Sequence, residues 1–101
     1  MVAEVPEIAE GTATLSLITN ERGGIIDDTI ITNFSDHIFM VINAGCKHKD
    51  IPHLQHHLSE FRASGKDASI EIIEDRGLIA LQGPKAAANL QKYMPNDVDL
   101  S

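Results

Sequence analysis

Positive charge, cysteine and long apolar runs are what this sequence has least of, and each shortage removes a class of function. Eight Lys and Arg residues stand against fifteen Asp and Glu, for a formal net charge of -7. Non-specific attachment to nucleic acid or to an anionic membrane surface needs clustered cations, so both are argued against. The one cysteine, Cys46, cannot close an intrachain disulfide and fits a reducing compartment. No apolar run approaches the roughly 20 residues of a membrane span. The start, Met1-Val2-Ala3-Glu4-Val5-Pro6, is acidic and unlike a signal or transit peptide, so any targeting sequence is expected outside this chain. No segment is of low complexity. What remains, 43% hydrophobic and 23% charged over 101 residues, is the composition of a globular chain of one domain at most, marginal as an independent unit.

Along the chain, many short elements are expected. Residues 1–12 carry Pro6, Gly11 and three glutamates without periodicity, and read as a linker or truncated segment. Ala13, Leu15 and Leu17 then alternate with Thr14, Ser16 and Ile18, the period of a half-buried strand. After a turn over residues 20–24, the β-branched run 28–34 predicts a second strand, and the apolar run from residue 37 or 38 to 42 a central strand covered on both faces. Asp50 is placed to N-cap a helix with Pro52 in its first turn, with Ile51, Leu54, Leu58 and Phe61 as one apolar stripe and Gly65 as its left-handed stop. Residues 68–74 and 78–82 around Asp75-Arg76-Gly77 read as a second hairpin. Gly83-Pro84 opens a short helix over 85–94 that Pro95 ends. The order strand, strand, strand, helix, strand, strand, helix implies an α+β fold, an antiparallel or mixed sheet with its two helices on one face.

Three groups of residues have chemistry to offer. His53, His56, His57 and Glu60 sit three and four apart on the helix, a spacing that allows convergence on a metal. No cysteine or second histidine pair closes a coordination shell, and no metal is expected. Cys46 beside Lys47, His48 and Lys49 has a basic surrounding, but a solvated loop accounts for the same residues and no orienting acid is in view. The third group is Asn20-Glu21-Arg22-Gly23-Gly24-Ile25-Ile26-Asp27-Asp28. Two glycines allow positive φ or close backbone approach, and two carboxylates follow at the entry to a strand that fixes their direction.

This last stretch, read with its flanks as G-T-x-x-L-S-L-x-T-N-E-x-G-G-I-I-D-D from Gly11 to Asp28, resembles the T-proteins of the glycine cleavage system, as do Val41-Ile42-Asn43-Ala44-Gly45 and Ala80-Leu81-Gln82-Gly83-Pro84. The resemblance is collinear from about Gly11 to Ala88. It implies an aminomethyltransferase: a lipoylated H-protein presents an aminomethyl group, tetrahydrofolate takes the one-carbon unit, and ammonia leaves. Residue by residue, the family's essential aspartate falls on Asp28, and its folate contacts fall on Leu15, Phe39 and Val41, with Phe39 standing where tyrosine is frequent. The role of Asp27 is left open. On this resemblance residues 13–94 are part of a folate-binding domain, residues 95–101 a tail, and the chain by itself is expected to be inactive. The location implied is the mitochondrial matrix for a eukaryotic source and the cytoplasm for a bacterial one.

Two other readings stay open on the residues alone. One is the folate-binding domain of a sarcosine- or dimethylglycine-oxidising flavoenzyme, which shares the double glycine and final aspartate but usually differs at the position of Asp27. The other is a catalytically silent α+β interaction module.

Overall fold

The structure, a computed structural model, describes residues 4–100. The ends of the expected linker and tail, residues 1–3 and 101, lie outside the described residues. The rest forms two compact units, one up to Ile70 and one from Glu71.

The first unit is built on three antiparallel strands in the order β1 (Ala13–Thr19), β2 (Ile25–Asn33), β3 (Ile38–Ile42). The β1–β2 connection is held by Asn20. Its backbone exchanges bonds with Gly23 and Gly24, while its side-chain Oδ1 accepts from the amides of Arg22 (3.0 Å) and Gly24 (2.8 Å). Both glycines are required: Gly23 has φ +78°, and a Cβ on Gly24 would stand 2.8 Å from the Asn20 amide. β2 begins three residues earlier than the β-branched run indicates, because pairing with β1 carries the strand back to Ile25. Asp27 and Asp28 are therefore inside the strand and not at its entry.

Helix α1 (Lys47–Ala63) follows a 3-10 turn at Ala44–Cys46. It starts ahead of Asp50, which corrects the expected N-cap: the 3-10 turn feeds straight into helical geometry, so Asp50 falls at the fourth position, within the first turn, and its side chain goes to the interior. Pro52 then lies within the helix, where its missing N–H costs only the bond to the first-turn carbonyl of His48. The stop is as expected, with Gly65 at φ +85° donating to the Arg62 carbonyl at 3.0 Å.

α1 covers one sheet face. That face carries Thr14, Ser16 and Ile18 of β1 with Asp27, Thr29 and Ile31 of β2. Ile18 and Ile31 are the only buried apolar side chains among the described residues. The helix thus lies over the more polar row of β1, and Leu15, at 63% exposure, faces away from it. β3 is an edge strand, not a central one, since its outer side has no partner in this sheet, and Ile38 and Phe39 are exposed. Residues 8–12, expected as linker, are tied to the end of β2: Asn33 bonds Gly11 and Thr12 through its backbone and the Ile8 carbonyl through Nδ2 at 2.7 Å.

The expected second hairpin is absent. Neither 68–74 nor 78–82 is a strand, because a strand needs a neighbour to complete its ladder and neither segment has one among the described residues. In the second unit, α2 (Ala86–Gln91) is shorter than the expected 85–94, and it relaxes into i to i+3 turns at Tyr93 and Met94. Gln91 holds the tail with its amide, donating to the Val98 carbonyl at 2.6 Å and accepting from the Leu100 amide at 2.8 Å.

Candidate functional site

The register sorts the candidate residues. Directly paired residues of antiparallel strands share a face, and successive residues alternate. Leu15 pairs with Ile30 and Ile30 with Val41; Ala13 pairs with Thr32 and Thr32 with Phe39; Leu17 pairs with Asp28. Leu15, Asp28, Phe39 and Val41 therefore all lie on the sheet face that α1 leaves open. Leu15 and Val41 are two inter-strand spacings apart, about 10 Å. The result is a flat apolar surface with one carboxylate along its edge.

A bulge aims that carboxylate. Between Ile18 and Thr19 the β1–β2 register slips by one, which leaves Ile26 as the extra residue of β2, immediately before the two acids. The Ile26 carbonyl accepts from Lys49 Nζ at 2.5 Å, fastening the bulge to the first turn of α1. Past it, Asp28 projects to the open face and Asp27 to the covered one, where Asp27 is only 9% exposed. Asn43, one step beyond the Thr29–Ile42 pair, reaches both: its Nδ2 donates to Asp28 Oδ1 at 2.6 Å and to Asp27 Oδ1 at 3.0 Å.

Under Asp27 lies Asp50, with no exposed surface. The two carboxyl groups are in hydrogen-bond contact, and Asp27 Oδ2 and both Asp50 oxygens are buried without an N–H or O–H donor from any other group. Burial, the bond to Asp27 and the Asp27 charge push Asp50 up to about 6, against the pull of Lys49 and His48. Asp27 is held down at about 2, chiefly by the bond from Asp50 and, against its own burial, by Asn43, the Asp28 amide and Cys46. Below about pH 6 the arrangement keeps one carboxylate charged and places a proton on its neighbour.

The histidines form a separate group. His53 stacks edge-on to His57 (4.6 Å between centroids), and Glu60 bridges His56 (3.4 Å) and His57 (3.3 Å). His53 is half-buried beside Ile18, Thr19 and Leu54, and burial followed by the His57 and His56 charges lowers its pKa. It lies over the end of β1. Among the described residues no group of three or more His, Cys, Asp or Glu side chains is arranged to hold a metal ion. Cys46 is half-buried and its thiol is turned to Asp27.

Asn43 and Asp50 were not legible as site residues from the sequence alone. Asn43 is found only once the β2–β3 register is known. Asp50 left a trace, since it sits four residues before Leu54, on the apolar stripe where a solvated acid does not belong.

Comparison with known proteins identifies the family. The chain is 48% identical over 99 residues to the "Aminomethyltransferase, mitochondrial" of Mesembryanthemum crystallinum, covering 97% of this chain and 24% of that protein. The proteins of the same name from Solanum tuberosum (47% over 102 residues, 100% of this chain, 25% of that one) and Homo sapiens (43% over 99 residues, 97% and 24%) are similarly related. The chain thus spans about a quarter of the length of the curated relatives it matches. Its match to the GCVT N-terminal domain runs over residues 1–101, from the segment tied to Asn33, through the acidic pair and α1, to the tail held by Gln91, and on that match the chain belongs to the GCVT N-terminal domain family.

Proposed function

We propose that this chain supplies the acid–base carboxylate and part of the folate-binding face of an aminomethyltransferase of the glycine cleavage system. In this reading a lipoylated H-protein delivers an aminomethyl group, tetrahydrofolate accepts the one-carbon unit, and ammonia departs. The transfer needs a carboxylate beside the accepting folate nitrogen, able to stabilise cationic charge on the carbon and to take up or relay a proton. Asp28 is that group. Leu15, Phe39 and Val41 pack against the folate, and Phe39 contributes ring contact without a tyrosine's hydroxyl. The residues present fit such a substrate: an exposed apolar face takes a flat ring, and a carboxylate fixed by Asn43 borders it. For a eukaryotic source, the names of the relatives support the mitochondrial matrix.

The observation that carries the reading is the convergence on one open face of Leu15, Asp28, Phe39 and Val41, the four residues from three strands that the resemblance to T-proteins names. The test is reconstitution of the complete protein with aminomethyl-loaded H-protein and tetrahydrofolate, scoring ammonia and methylene-folate together. Both products are expected in equal amounts. Flavin-dependent oxidation of sarcosine or dimethylglycine would establish the oxidase reading instead, and folate-independent inertness the silent module.

A further inference from the structure

Asp50 is out of keeping with its position. The stripe of α1 that faces the sheet is otherwise Ile51, Leu54 and Leu58, yet at its head stands a carboxyl group with no exposed surface. A buried, uncompensated carboxylate is among the costliest side chains a small core can hold. Among the described residues the groups that face it are few. From β2 comes Asp27; from the turn before α1 come Asn43 and Cys46, both directed at Asp27; from the first turn of α1 come His48 and Lys49, and the Lys49 amine is bonded to the Ile26 carbonyl. Among the described residues no donor remains for Asp27 Oδ2 or for either oxygen of Asp50. A proton belonging to the pair itself satisfies them.

We propose that Asp50 is a positioning residue: Asp50 and Asp27 hold a single proton between them, and this pair fixes the Asn43 amide, which in turn orients the Asp28 carboxylate. Two carboxylates in contact away from water cannot both ionise at low cost, so below about pH 6 one is protonated and donates to the other. The linkage to the open face is direct, because the Asn43 Nδ2 that bonds Asp27 at 3.0 Å also bonds Asp28 at 2.6 Å. The raised pKa of Asp50, about 6, and the lowered one of Asp27 put the proton on Asp50. Loss of that proton sets two charges against each other beneath Asn43, and the amide that aligns Asp28 loses its fixed partner. The consequence for catalysis rests on the assignment of Asp28 above; the shared proton does not.

The experiment is an NMR titration of the 101-residue chain from pH 4 to 8, with 13C-labelled aspartate carboxyls and 15N-labelled side-chain amides. One carboxyl, assigned to Asp50, should titrate near pH 6, with the Asn43 amide resonance moving at the same midpoint. In Asp50→Asn that carboxyl titration should vanish and the Asn43 resonance should stay constant through the window. In Asp27→Asn the Asp50 midpoint should fall, since the neighbouring charge is gone. This second variant and the wild-type titration decide the matter even where Asp50→Asn does not fold. An Asp50 midpoint below about 4.5 in the wild type, an Asn43 resonance that ignores it, or a midpoint indifferent to Asp27→Asn would each overturn the proposal. A complete protein without aminomethyl transfer would overturn the role given to Asp28 and leave these titrations as they are. In an active one, Asp50→Asn should delete an ionisation near 6 from the pH dependence of kcat/KM, and its persistence would refute the positioning role.

Discussion

Replacing Asp28 by Asn in the complete protein removes a charge and a proton acceptor while changing the side-chain shape hardly at all. Asp28 lies on the exposed face, so the fold does not depend on its ionisation, and the Asn43 amide can still donate to an amide oxygen at that position. What is lost is the group proposed to stand beside the folate nitrogen. Removing a positioned acid–base residue costs about a hundredfold or more in rate, about 2.7 kcal/mol of transition-state stabilisation. Asp27→Asn acts on the covered face, where no substrate reaches, and should lower transfer by less than about tenfold, about 1.4 kcal/mol. Single-turnover formation of methylene-folate from loaded H-protein, with circular dichroism as a control for folding, measures both. Folate affinity should change only modestly in either variant, because the chain supplies one side of the proposed contact. If Asp27→Asn abolished transfer and Asp28→Asn stayed near wild type, the assignment of the two faces would be wrong.

Ile31 has no exposed surface, so Ile31→Ala should cost about 2 to 5 kcal/mol and shift the urea midpoint of the chain or leave it unfolded; a loss under about 1 kcal/mol would show that the core lies elsewhere. Gly23→Ala should cost about 1 to 2 kcal/mol from the left-handed φ alone, read by the same denaturation. Asp50, raised from 3.8 to about 6, contributes stability that is complete below pH 3.8 and is lost as pH rises through 6. His53, whose pKa is lowered, acts in the opposite sense near its ordinary value of 6.5. The check is therefore the difference between wild type and Asp50→Asn, which should move in favour of the variant between pH 4 and 7. The chain alone should self-associate with concentration in sedimentation, and a concentration-independent monomer would show the open face to be tolerated.

The parts of the fold legible in the sequence are those fixed by local chemistry. The Asn20 to Gly24 turn, the presence of the three strands and the Gly65 stop follow from turn residues, β-branching and a positive φ, although β2 starts earlier than its β-branched run. What failed is what depends on partners. The alternation in 68–74 and 78–82 is real in the sequence, but hydrogen bonding to a neighbour, not alternation, makes a strand. The apolar run of β3 suggested burial on both faces, yet in this sheet it is an edge. Asp50 departs from its expected role for a related reason. An acid before a helical stripe has the pattern of a cap, and only its burial against Asp27 distinguishes a cap from an interior group.

The consecutive acids make sense as a pair because of the strand that holds them. In a loop, two adjacent carboxylates can share one environment and repel one another. In β2 the pleat sends them to opposite faces, so one can face water and ligand while the other is enclosed by a helix. The enclosed acid then needs a partner, and α1 supplies one that is itself an acid, which makes the charge of the interior depend on a proton and not on a fixed cation. Asn43 is long enough to touch both acids only because the ladder ends at Thr29–Ile42 and its side chain lies at the sheet margin. The same geometry accounts for the inverted burial of β1. α1 must cover the row that holds Asp27, and by register that row is Ser16 and Ile18, which leaves Leu15 with Ile30, Val41 and Phe39 on the open side. An apolar face bordered by an aligned carboxylate follows directly from burying the other acid.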